Sequence, residues 1–423
     1  MACKITLNLI LYGSIILIVV IAVCLTVQFA PSINSSNKSR LSLTSNSAEP
    51  NMAIIMPPMC RLFWDKTEGA FMITLKIGAG LVDLVVDTGS NVLSAKAKQC
   101  EFNECNGSEC NLKTCPCGDN PNGTPRLDCS TYAYQPSESS QILKPGEHGA
   151  GYSTRLQYGS QEDSIVHYVD SVEVPYIDVK CADVLSAEYR HFPATDRFIN
   201  LGSDVIVHSV YHIKGASSSN LFGLARPGGG DRVLLESLFS KKSKIHFSMI
   251  LRKQFGYYAT GPMPCFNKVN YMKLQQPTEF MSFMTKFYIV KLTDMYVGSD
   301  PNNLSRVTAS VPKFVIIDTG TTCSYTSPSL GSELQRMGYS ENGDCIQLHL
   351  GSRRSPLIIT YSPSDMRDPE TGGSSFNCLS GKTLDNFDKL FPLSPPLLLG
   401  ALMMQNMYWE IDLSKNRVGV QLL

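Results

Sequence analysis

The chain of 423 residues lacks an excess of charge of either sign, because 37 Lys and Arg residues balance 37 Asp and Glu residues. Without a basic surplus to neutralise phosphates, we expect no nucleic-acid partner. Charged residues are also sparse at 17%, whereas hydrophobic residues make up 43% of the chain. This balance excludes global disorder and provides enough apolar side chains for a large core.

Charge is missing altogether from the stretch between Ile5 and Ala30, and Leu9–Val27 is almost continuously apolar. A helix of that length can cross the hydrocarbon core of a membrane. We therefore predict that residues 1–30 comprise a short cytosolic stub and a transmembrane signal anchor. A cleaved signal peptide is the alternative, with a weak cleavage site at Gln28-Phe29-Ala30.

Residues 31–60 lack hydrophobic periodicity and are rich in Ser and Asn, which predicts a flexible stalk or a short prosegment. Five Asn-x-Ser/Thr sequons are candidate glycosylation sites, and they begin at Asn34, Asn37, Asn106, Asn122 and Asn303. Such sites are modified in the secretory pathway. Together with the apolar N-terminal segment, they predict that the residues after the anchor lie in the secretory lumen or outside the cell.

The cysteine content agrees with that compartment. Of 14 cysteines, two precede residue 31, and the remaining twelve form an even set, as expected for an oxidised chain. The alternative is a cytosolic protein with buried or zinc-bound thiols. Six of the twelve fall within a Gly-, Asn- and Pro-rich insert at residues 100–129, namely Cys100, Cys105, Cys110, Cys115, Cys117 and Cys129. We predict a disulfide-stapled insert, with a zinc knuckle at Cys115-Pro116-Cys117 as the competing interpretation.

One pattern occurs twice in the chain. In each copy an apolar strand ends in Asp-Thr-Gly and a hydroxyl residue, and two apolar residues with a glycine come later. The first copy contains a strand from Leu81 to Val86, then Asp87-Thr88-Gly89-Ser90, and then Leu221-Phe222-Gly223. The second contains a strand that starts near Phe314, then Asp318-Thr319-Gly320-Thr321, and then Leu398-Leu399-Gly400. The duplication predicts two related lobes, and the alternative is two unrelated turns at strand ends.

The residue types in this pattern suit acid–base chemistry. A glycine after Asp-Thr lets the backbone turn tightly and approach a facing loop. If the two lobes pack as pseudo-twofold mates, the side chains of Asp87 and Asp318 come into contact. Two carboxyl groups at such a short distance cannot both ionise, so they share one proton. Such a dyad can deprotonate water while it protonates a carbonyl oxygen, which is the acid–base task of peptide hydrolysis. Ser90 and Thr321 can donate hydrogen bonds to the outer carboxylate oxygens, and no metal or cofactor is needed.

Over residues 61–423 the chain resembles the pepsin family of aspartic proteases. The resemblance rests on both Asp-Thr-Gly motifs, both apolar-apolar-Gly segments, Tyr158-Gly159-Ser160, and the C-terminal run from Leu399 to Val420. It implies a mostly β, bilobal fold with lobes at residues 61–252 and 253–423 and a cleft for extended polypeptide. It also implies that Tyr158, Gly159 and Ser160 form the tip of a flap over the substrate, whereas the alternative is an ordinary hairpin turn.

The resemblance has consequences for other residues. It implies a disulfide between Cys345 and Cys378, and it leaves the partners of four cysteines unassigned, namely Cys60, Cys181, Cys265 and Cys323. Ser94 departs from the family, which usually carries a tryptophan there that hydrogen-bonds the flap tyrosine. That departure concerns flap positioning and leaves the proton chemistry unaffected.

The sequence as a whole therefore predicts a membrane-anchored aspartic endopeptidase that hydrolyses extended polypeptide at acid pH and is monomeric. Asp87 and Asp318 are the predicted catalytic dyad. The predicted supporting residues are Thr88, Gly89, Ser90, Thr319, Gly320 and Thr321. The alternative is a pepsin-fold binding or receptor protein that no longer cleaves, and a third possibility is a structural glycoprotein unrelated to proteases.

Overall fold

The computed structural model describes thirteen stretches of the chain, which are residues 56–66, 68–106, 109–114, 133–144, 155–158, 161–186, 197–214, 220–227, 234–239, 245–275, 285–340, 343–365 and 395–423. The predicted anchor and nearly all of the predicted stalk lie outside these residues. So do six single predicted sites, namely Asn34, Asn37, Asn122, Gly159, Ser160 and Cys378. Within the described part, no helix has both the length and the apolar content needed to cross a membrane.

Most regular structure in these residues is β-strand, which confirms the prediction of a mostly β fold. The strands are β1 (Met59–Asp65), β2 (Ala70–Ile77), β3 (Gly80–Asp87), β4 (Leu93–Asn106), β5 (Glu109–Thr114), β6 (Gln141–Leu143), β7 (Arg155–Tyr158), β8 (Gln161–Pro175), β9 (Phe198–Lys214), β10 (Leu221–Gly223), β11 (His246–Leu251), β12 (Phe255–Ala259), β13 (Asn270–Lys273), β14 (Tyr288–Asp300), β15 (Asn303–Arg306), β16 (Phe314–Ile317), β17 (Cys345–Gly351), β18 (Pro356–Tyr361), β19 (Leu397–Leu399), β20 (Met407–Asp412) and β21 (Arg417–Leu422). The helices are α1 (Cys181–Leu185), α2 (Leu234–Leu238), α3 (Pro328–Arg336) and a 3-10 turn, Ala401–Met404.

The described strands form two sheets. The larger has fifteen strands in the order β13-β21-β20-β11-β12-β1-β2-β3-β10-β4-β9-β8-β6, with β5 paired to β4 and β7 paired to β8. The smaller has six strands in the order β18-β17-β14-β16-β19, with β15 paired to β14. The larger sheet contains strands from both sides of the lobe boundary predicted at residues 252 and 253, so that boundary stays a prediction.

The apolar run that precedes the first motif is explained by the position of β3. This strand lies between β2 and β10 in the interior of the larger sheet. Val82, Leu84 and Val86 join the main hydrophobic core, whereas Val85 packs in a separate cluster with Met72 and other residues. Because both faces of β3 are covered, an unbroken apolar segment replaces the alternating pattern of a half-exposed strand.

A buried acidic pair lies on β20. Glu410 accepts hydrogen bonds from His246 Nε2 at 3.0 Å, from the Tyr271 hydroxyl at 2.9 Å and from the Tyr408 hydroxyl at 2.9 Å. Asp412 accepts from Arg417 Nε at 3.1 Å. Burial pushes the pKa of Glu410 upward, but these donors outweigh burial, so its pKa lies below the ordinary value of 4.5. The pair therefore stays ionised in the interior of the larger sheet.

This pair predicts that the free energy of unfolding falls in acid. A carboxyl whose pKa is lower in the folded than in the unfolded protein stabilises the fold at pH values above its pKa in the unfolded protein. That stabilisation is lost as the pH drops through the pKa of the carboxyl in the folded protein. We expect Glu410→Gln to lower the free energy of unfolding by about 3 kcal/mol at pH 7, because it leaves three donors with a weaker acceptor. Urea unfolding at pH 7 and pH 4 measures this. The loss should shrink at the lower pH, and the exposed control Glu138→Gln should have no effect. Equal losses at both pH values would contradict the argument.

The cysteines follow the sequence-based prediction only in part. Cys181 and Cys265 form a disulfide with their Cα atoms 5.4 Å apart, and Cys323 is also disulfide-bonded. Cys60 and Cys345 are buried free thiols. The predicted Cys345–Cys378 disulfide is therefore wrong for this structure. Cys345 opens β17 opposite Gly298 of β14, with a side chain only 4% exposed, so the packing of the smaller sheet encloses the sulfur.

The predicted Cys-rich insert begins as a hairpin. Strands β4 and β5 are antiparallel, and Cys105 and Cys110 are opposed in their register. Cys115, Cys117 and Cys129 lie outside the described residues. The stapled insert and the zinc knuckle both stay predictions.

Candidate active site

The two copies of the repeated motif adopt matching backbone arrangements. In the first, β10 pairs in parallel with β3, so that Gly223 lies opposite Asp87. In the second, β19 pairs in parallel with β16, with Leu399 opposite Ile317. Leu224 N donates to Asp87 O at 2.7 Å, and Asp318 N donates to Leu399 O at 3.0 Å. Each apolar-apolar-Gly segment thus supports the strand end that bears its aspartate.

The loop after each aspartate is held by a backbone hydrogen bond from a residue that closely follows the apolar-apolar-Gly segment. Ala225 N donates to Ser90 O at 2.7 Å, and Ala401 N donates to Thr321 O at 2.7 Å. The donor is the second residue after the apolar-apolar-Gly segment in the first copy and the first residue after it in the second copy. In both copies the donor anchors the hydroxyl residue of the motif. This match between distant segments gives the repeat in the sequence a structural counterpart.

Each carboxyl receives two hydrogen bonds from its own loop. Asp87 Oδ1 accepts from Gly89 N at 2.7 Å, and its Oδ2 accepts from Ser90 Oγ at 2.5 Å. Asp318 Oδ1 accepts from Gly320 N at 3.0 Å, and its Oδ2 accepts from Thr321 Oγ1 at 2.7 Å. Both oxygens of each carboxyl are engaged, so the orientation of both side chains is fixed.

The threonine of each motif links the two loops. Thr88 N donates to Thr319 Oγ1 at 3.1 Å, and Thr319 N donates to Thr88 Oγ1 at 3.0 Å. The hydroxyls then donate across the pair, Thr88 Oγ1 to Ile317 O at 3.0 Å and Thr319 Oγ1 to Val86 O at 2.6 Å. Both side chains are fully buried. This reciprocal network holds the two aspartate loops against each other.

The glycine of each motif lies against the opposite aspartate. A β-carbon at Gly320 would lie 2.3 Å from Asp87 Cγ, and one at Gly89 would lie 2.7 Å from Asp318 Oδ1. No larger residue fits at either position without a shift. The close approach of the two carboxyls therefore depends on glycine in both loops.

The electrostatics of the pair favour one shared proton. Asp87 and Asp318 are each 8% exposed. Burial raises the pKa of Asp318 well above its ordinary value, and the neighbouring Asp87 carboxylate raises it further, against the lowering effect of the Thr321 hydrogen bond. A hydrogen bond between the two side chains also favours the protonated form of Asp318. The arrangement can hold one carboxyl as an acid beside one carboxylate as a base.

The remaining predicted residues are spread over other elements. Tyr158 ends β7 and lies opposite Gln161 in the β7–β8 hairpin, and the turn between them falls outside the described residues. Asn303 begins β15 and is exposed, and Asn106 ends β4. The predicted flap role and the glycosylation of these asparagines stay predictions.

Sequence reasoning missed two features near the dyad. The cross-linking role of Thr88 and Thr319 was not predicted, although threonine between Asp and Gly in both motifs was a usable signal. Tyr325 was also missed. Burial raises its pKa, and the Asp318 charge raises it further. Tyr325 follows the second motif by only a few residues, and it pairs with Leu398 through backbone hydrogen bonds.

One group in the described part of the chain has the ligand types of a metal site. The side chains of His246, Glu410 and Asp412 have candidate ligand atoms within 4.8 Å of one another. Their oxygens already accept from tyrosine hydroxyls and from Arg417, and Lys415 Nζ lies 3.7 Å from Asp412. The carboxylates are thus already paired with hydroxyls and cations of the chain, and the group is better explained as an ion network.

Comparisons with known proteins leave this geometry without a family assignment. No family model matches the chain, and a search of curated proteins finds no significant match.

Proposed function

We propose that this protein is an aspartic endopeptidase of the pepsin type, with a bilobal catalytic part anchored by its N-terminal segment in a membrane and facing the lumen or the exterior. The observation that carries the proposal is the juxtaposition of Asp87 and Asp318 on linked loops, with one proton favoured on the pair. Two carboxyls in different protonation states are the acid and base that peptide hydrolysis requires.

The mechanism follows from that proton. Asp318, the carboxyl with the raised pKa, donates its proton to the oxygen of the scissile carbonyl. Asp87 accepts a proton from water, and the water oxygen bonds to the carbonyl carbon. The resulting tetrahedral diol collapses when the proton on Asp87 passes to the amide nitrogen and the C–N bond breaks. One hydroxyl of the diol gives its proton back to Asp318 and becomes the carbonyl of the new acid. Water is consumed, an acid and an amine are released, and the dyad returns to its starting state.

The substrate is proposed to be polypeptide in extended form, bound through its main chain beneath the β7–β8 hairpin, with Tyr158, Gly159 and Ser160 at the tip. Main-chain recognition suits a neutral protein, since it requires no charged polymer. Lumenal exposure is supported by the Cys181–Cys265 disulfide. It is also consistent with an exposed sequon at Asn303.

The test is cleavage of a denatured protein between pH 4 and pH 6 by the full chain, with and without a statine-type transition-state mimic. Cleavage that the mimic inhibits supports the proposal. Binding of the mimic without any cleavage would favour the alternative, a binding protein that keeps the fold. Absence of both would overturn the proposal.

The protonation state of the dyad also predicts the pH profile. Activity requires one proton on the pair, so the alkaline limb of kcat/KM should lie well above the ordinary pKa of an aspartate, because the pKa of Asp318 is raised. Thr321→Val removes a hydrogen bond that lowers this pKa, so it should move the alkaline limb to higher pH. Rates measured from pH 3 to pH 9 test this, with the exposed Thr308→Val as control. A limb that moves to lower pH would contradict the assignment of the acid to Asp318.

A further inference from the structure

The smaller sheet is acidic at one end. Asp300 ends β14, Asp344 directly precedes β17, and Asp365 follows β18 by four residues. The register brings these positions together, because Cys345 lies opposite Gly298, two residues before the end of β14. Burial raises the pKa of the Cys345 thiol, and the charges of all three aspartates raise it further. Three carboxylates are thus clustered where β17 begins.

The opposite end of the same sheet is basic. Residues 352–355 form the turn between β17 and β18, and this turn contains Arg353 and Arg354. Lys291 lies beside it on β14, because the next residue of β14 pairs with Leu350 of β17. All three cations are exposed. Since the chain as a whole has equal numbers of positive and negative residues, this end of the sheet has a local excess of positive charge.

A cavity of about 310 Å³ lies between the β17–β18 turn and β13, an edge strand of the larger sheet as described. Lys273 of β13 lines one side of the cavity, and Ser352 and Ser355 of the turn line the other. The two sides approach closely at Gly351, where a β-carbon would lie 2.9 Å from Met272 Cγ. The cavity therefore has a lysine on one side and hydroxyl groups on the other, beside a turn that contains two arginines.

The cations around this cavity are not neutralised by the described part of the chain. No carboxylate of the described residues forms an ion pair with Lys273, Arg353 or Arg354. Asp412 lies nearby on β20, but it pairs with Arg417, the residue opposite Lys273 in register. Guanidinium groups bind carboxylates through paired hydrogen bonds, so the chemical complement of this site is an acidic chain.

The basic turn and Asp318 lie at the same end of the smaller sheet. Strands β16 and β17 both pair antiparallel with β14, so they run in the same direction. Asp318 follows the last residue of β16, and the turn follows the last residue of β17. Because β14 is the one strand between them, the turn lies about two strand spacings, or about 10 Å, to the side of β16. An extended polypeptide advances about 3.3 Å per residue, so a side chain about three to five residues from a bond at the dyad can reach the turn.

We propose that the cavity between β13 and the β17–β18 turn is an accessory substrate site, in which Lys273, Arg353 and Arg354 pair with carboxylates of an acidic polypeptide. This inference rests on the proposed function and names a substrate class for it, which is extended polypeptide with Asp or Glu about three to five residues from the cleaved bond. The position of the site, at the end of the sheet that bears Asp318, favours a substrate over a sulfated glycan, the other polyanion that exposed cations bind.

Peptide binding by the full chain tests the site without cleavage. The background is Asp87→Asn, which removes one carboxyl of the dyad. Two labelled peptides share a neutral centre, and one has glutamates on both flanks where the other has glutamines. At pH 5.5 the glutamates are ionised. Fluorescence anisotropy should then show about tenfold tighter binding of the glutamate peptide, the gain expected from a few exposed ion pairs. Equal binding of the two peptides would overturn the proposal.

Charge-neutralising variants locate the binding. Arg353→Gln combined with Arg354→Gln should remove most of the preference for the glutamate peptide, and Lys273→Gln should weaken it. The matched control is Lys180→Gln combined with Lys253→Gln, which removes the same charge from exposed positions outside the cavity. Exposed side chains contribute little to stability, so all of these variants should unfold near the native temperature. A preference that survives the arginine double variant, or that the control loses equally, would contradict the assignment.

Kinetics separate this proposal from the proposed function. With the native dyad, KM should be about tenfold lower for the glutamate peptide than for the glutamine peptide, with similar kcat, because the site binds substrate away from the reacting groups. Selective binding without cleavage at any pH would retain the acidic-peptide site and remove the protease assignment. Cleavage with equal KM for both peptides would overturn the accessory site alone. Binding of a sulfated oligosaccharide without any preference for the glutamate peptide would assign the cations to a glycan and overturn the proposal.

Discussion

Replacing Asp87 or Asp318 by asparagine is expected to lower kcat/KM for peptide cleavage by about a thousandfold or more, since general acid–base catalysis contributes about 10² to 10⁴ and each variant removes one of its two groups. Asparagine keeps the shape of the side chain and can still meet Ser90 Oγ or Thr321 Oγ1. It cannot carry the shared proton. The loss should therefore fall on kcat, with a smaller change in KM.

The control for both variants is Asp178→Asn. Asp178 is exposed and pairs with Arg197 at the surface, so its replacement should leave activity and stability nearly unchanged. Thermal unfolding of all three variants distinguishes loss of chemistry from loss of fold. Removal of Asp87 or Asp318 should not destabilise the protein, because each variant relieves the repulsion between two buried carboxyls. Unchanged cleavage in either variant would refute the catalytic assignment.

The strands that bear the motifs were predictable because they lie in sheet interiors. Strand β3 extends from Gly80 to Asp87, one residue beyond each end of the predicted strand from Leu81 to Val86. Strand β16 begins at Phe314, as predicted. Buried strands have long apolar runs that are visible in a single sequence, and an aspartate at the end of such a run marks the strand end. The candidate dyad was predictable for the same reason, since the pattern occurs twice.

Contacts between segments far apart in the chain were not predictable. The threonine network depends on how two loops are placed in space, and no local propensity records that placement. The register between β8 and β9 is altered by irregularities at three places, and none of them is marked in the sequence. The Cys345–Cys378 prediction was wrong because sequence spacing does not determine whether two Cα atoms come within disulfide range. Tertiary packing decides these features, and the sequence pattern records only which residues are available.

Replacing Gly320 by alanine should be nearly as damaging as removing an aspartate, although it changes no titratable group. The added methyl would lie 2.3 Å from Asp87 Cγ, so either the carboxyl or the loop must move. A displacement of about 1 Å at reacting groups costs about a hundredfold in rate, and overpacking costs about 1–3 kcal/mol of stability. We therefore expect kcat/KM to fall at least a hundredfold and the alkaline limb of the pH profile to move to lower pH, because separated carboxyls no longer raise the pKa of Asp318.

The matched control for this substitution is Gly343→Ala. A β-carbon at Gly343 meets no atom within 4 Å, and neither Gly343 nor Gly320 has a positive φ, so the two variants differ only in what the methyl contacts. Gly343→Ala should retain full activity and an unchanged pH profile. Comparison of the two profiles tests the dyad itself, since a general loss of fold would lower the rate without moving the alkaline limb. A Gly320→Ala enzyme that keeps the native rate and the native alkaline limb would mean that the approach of the two carboxyls is not what sets the proton on Asp318.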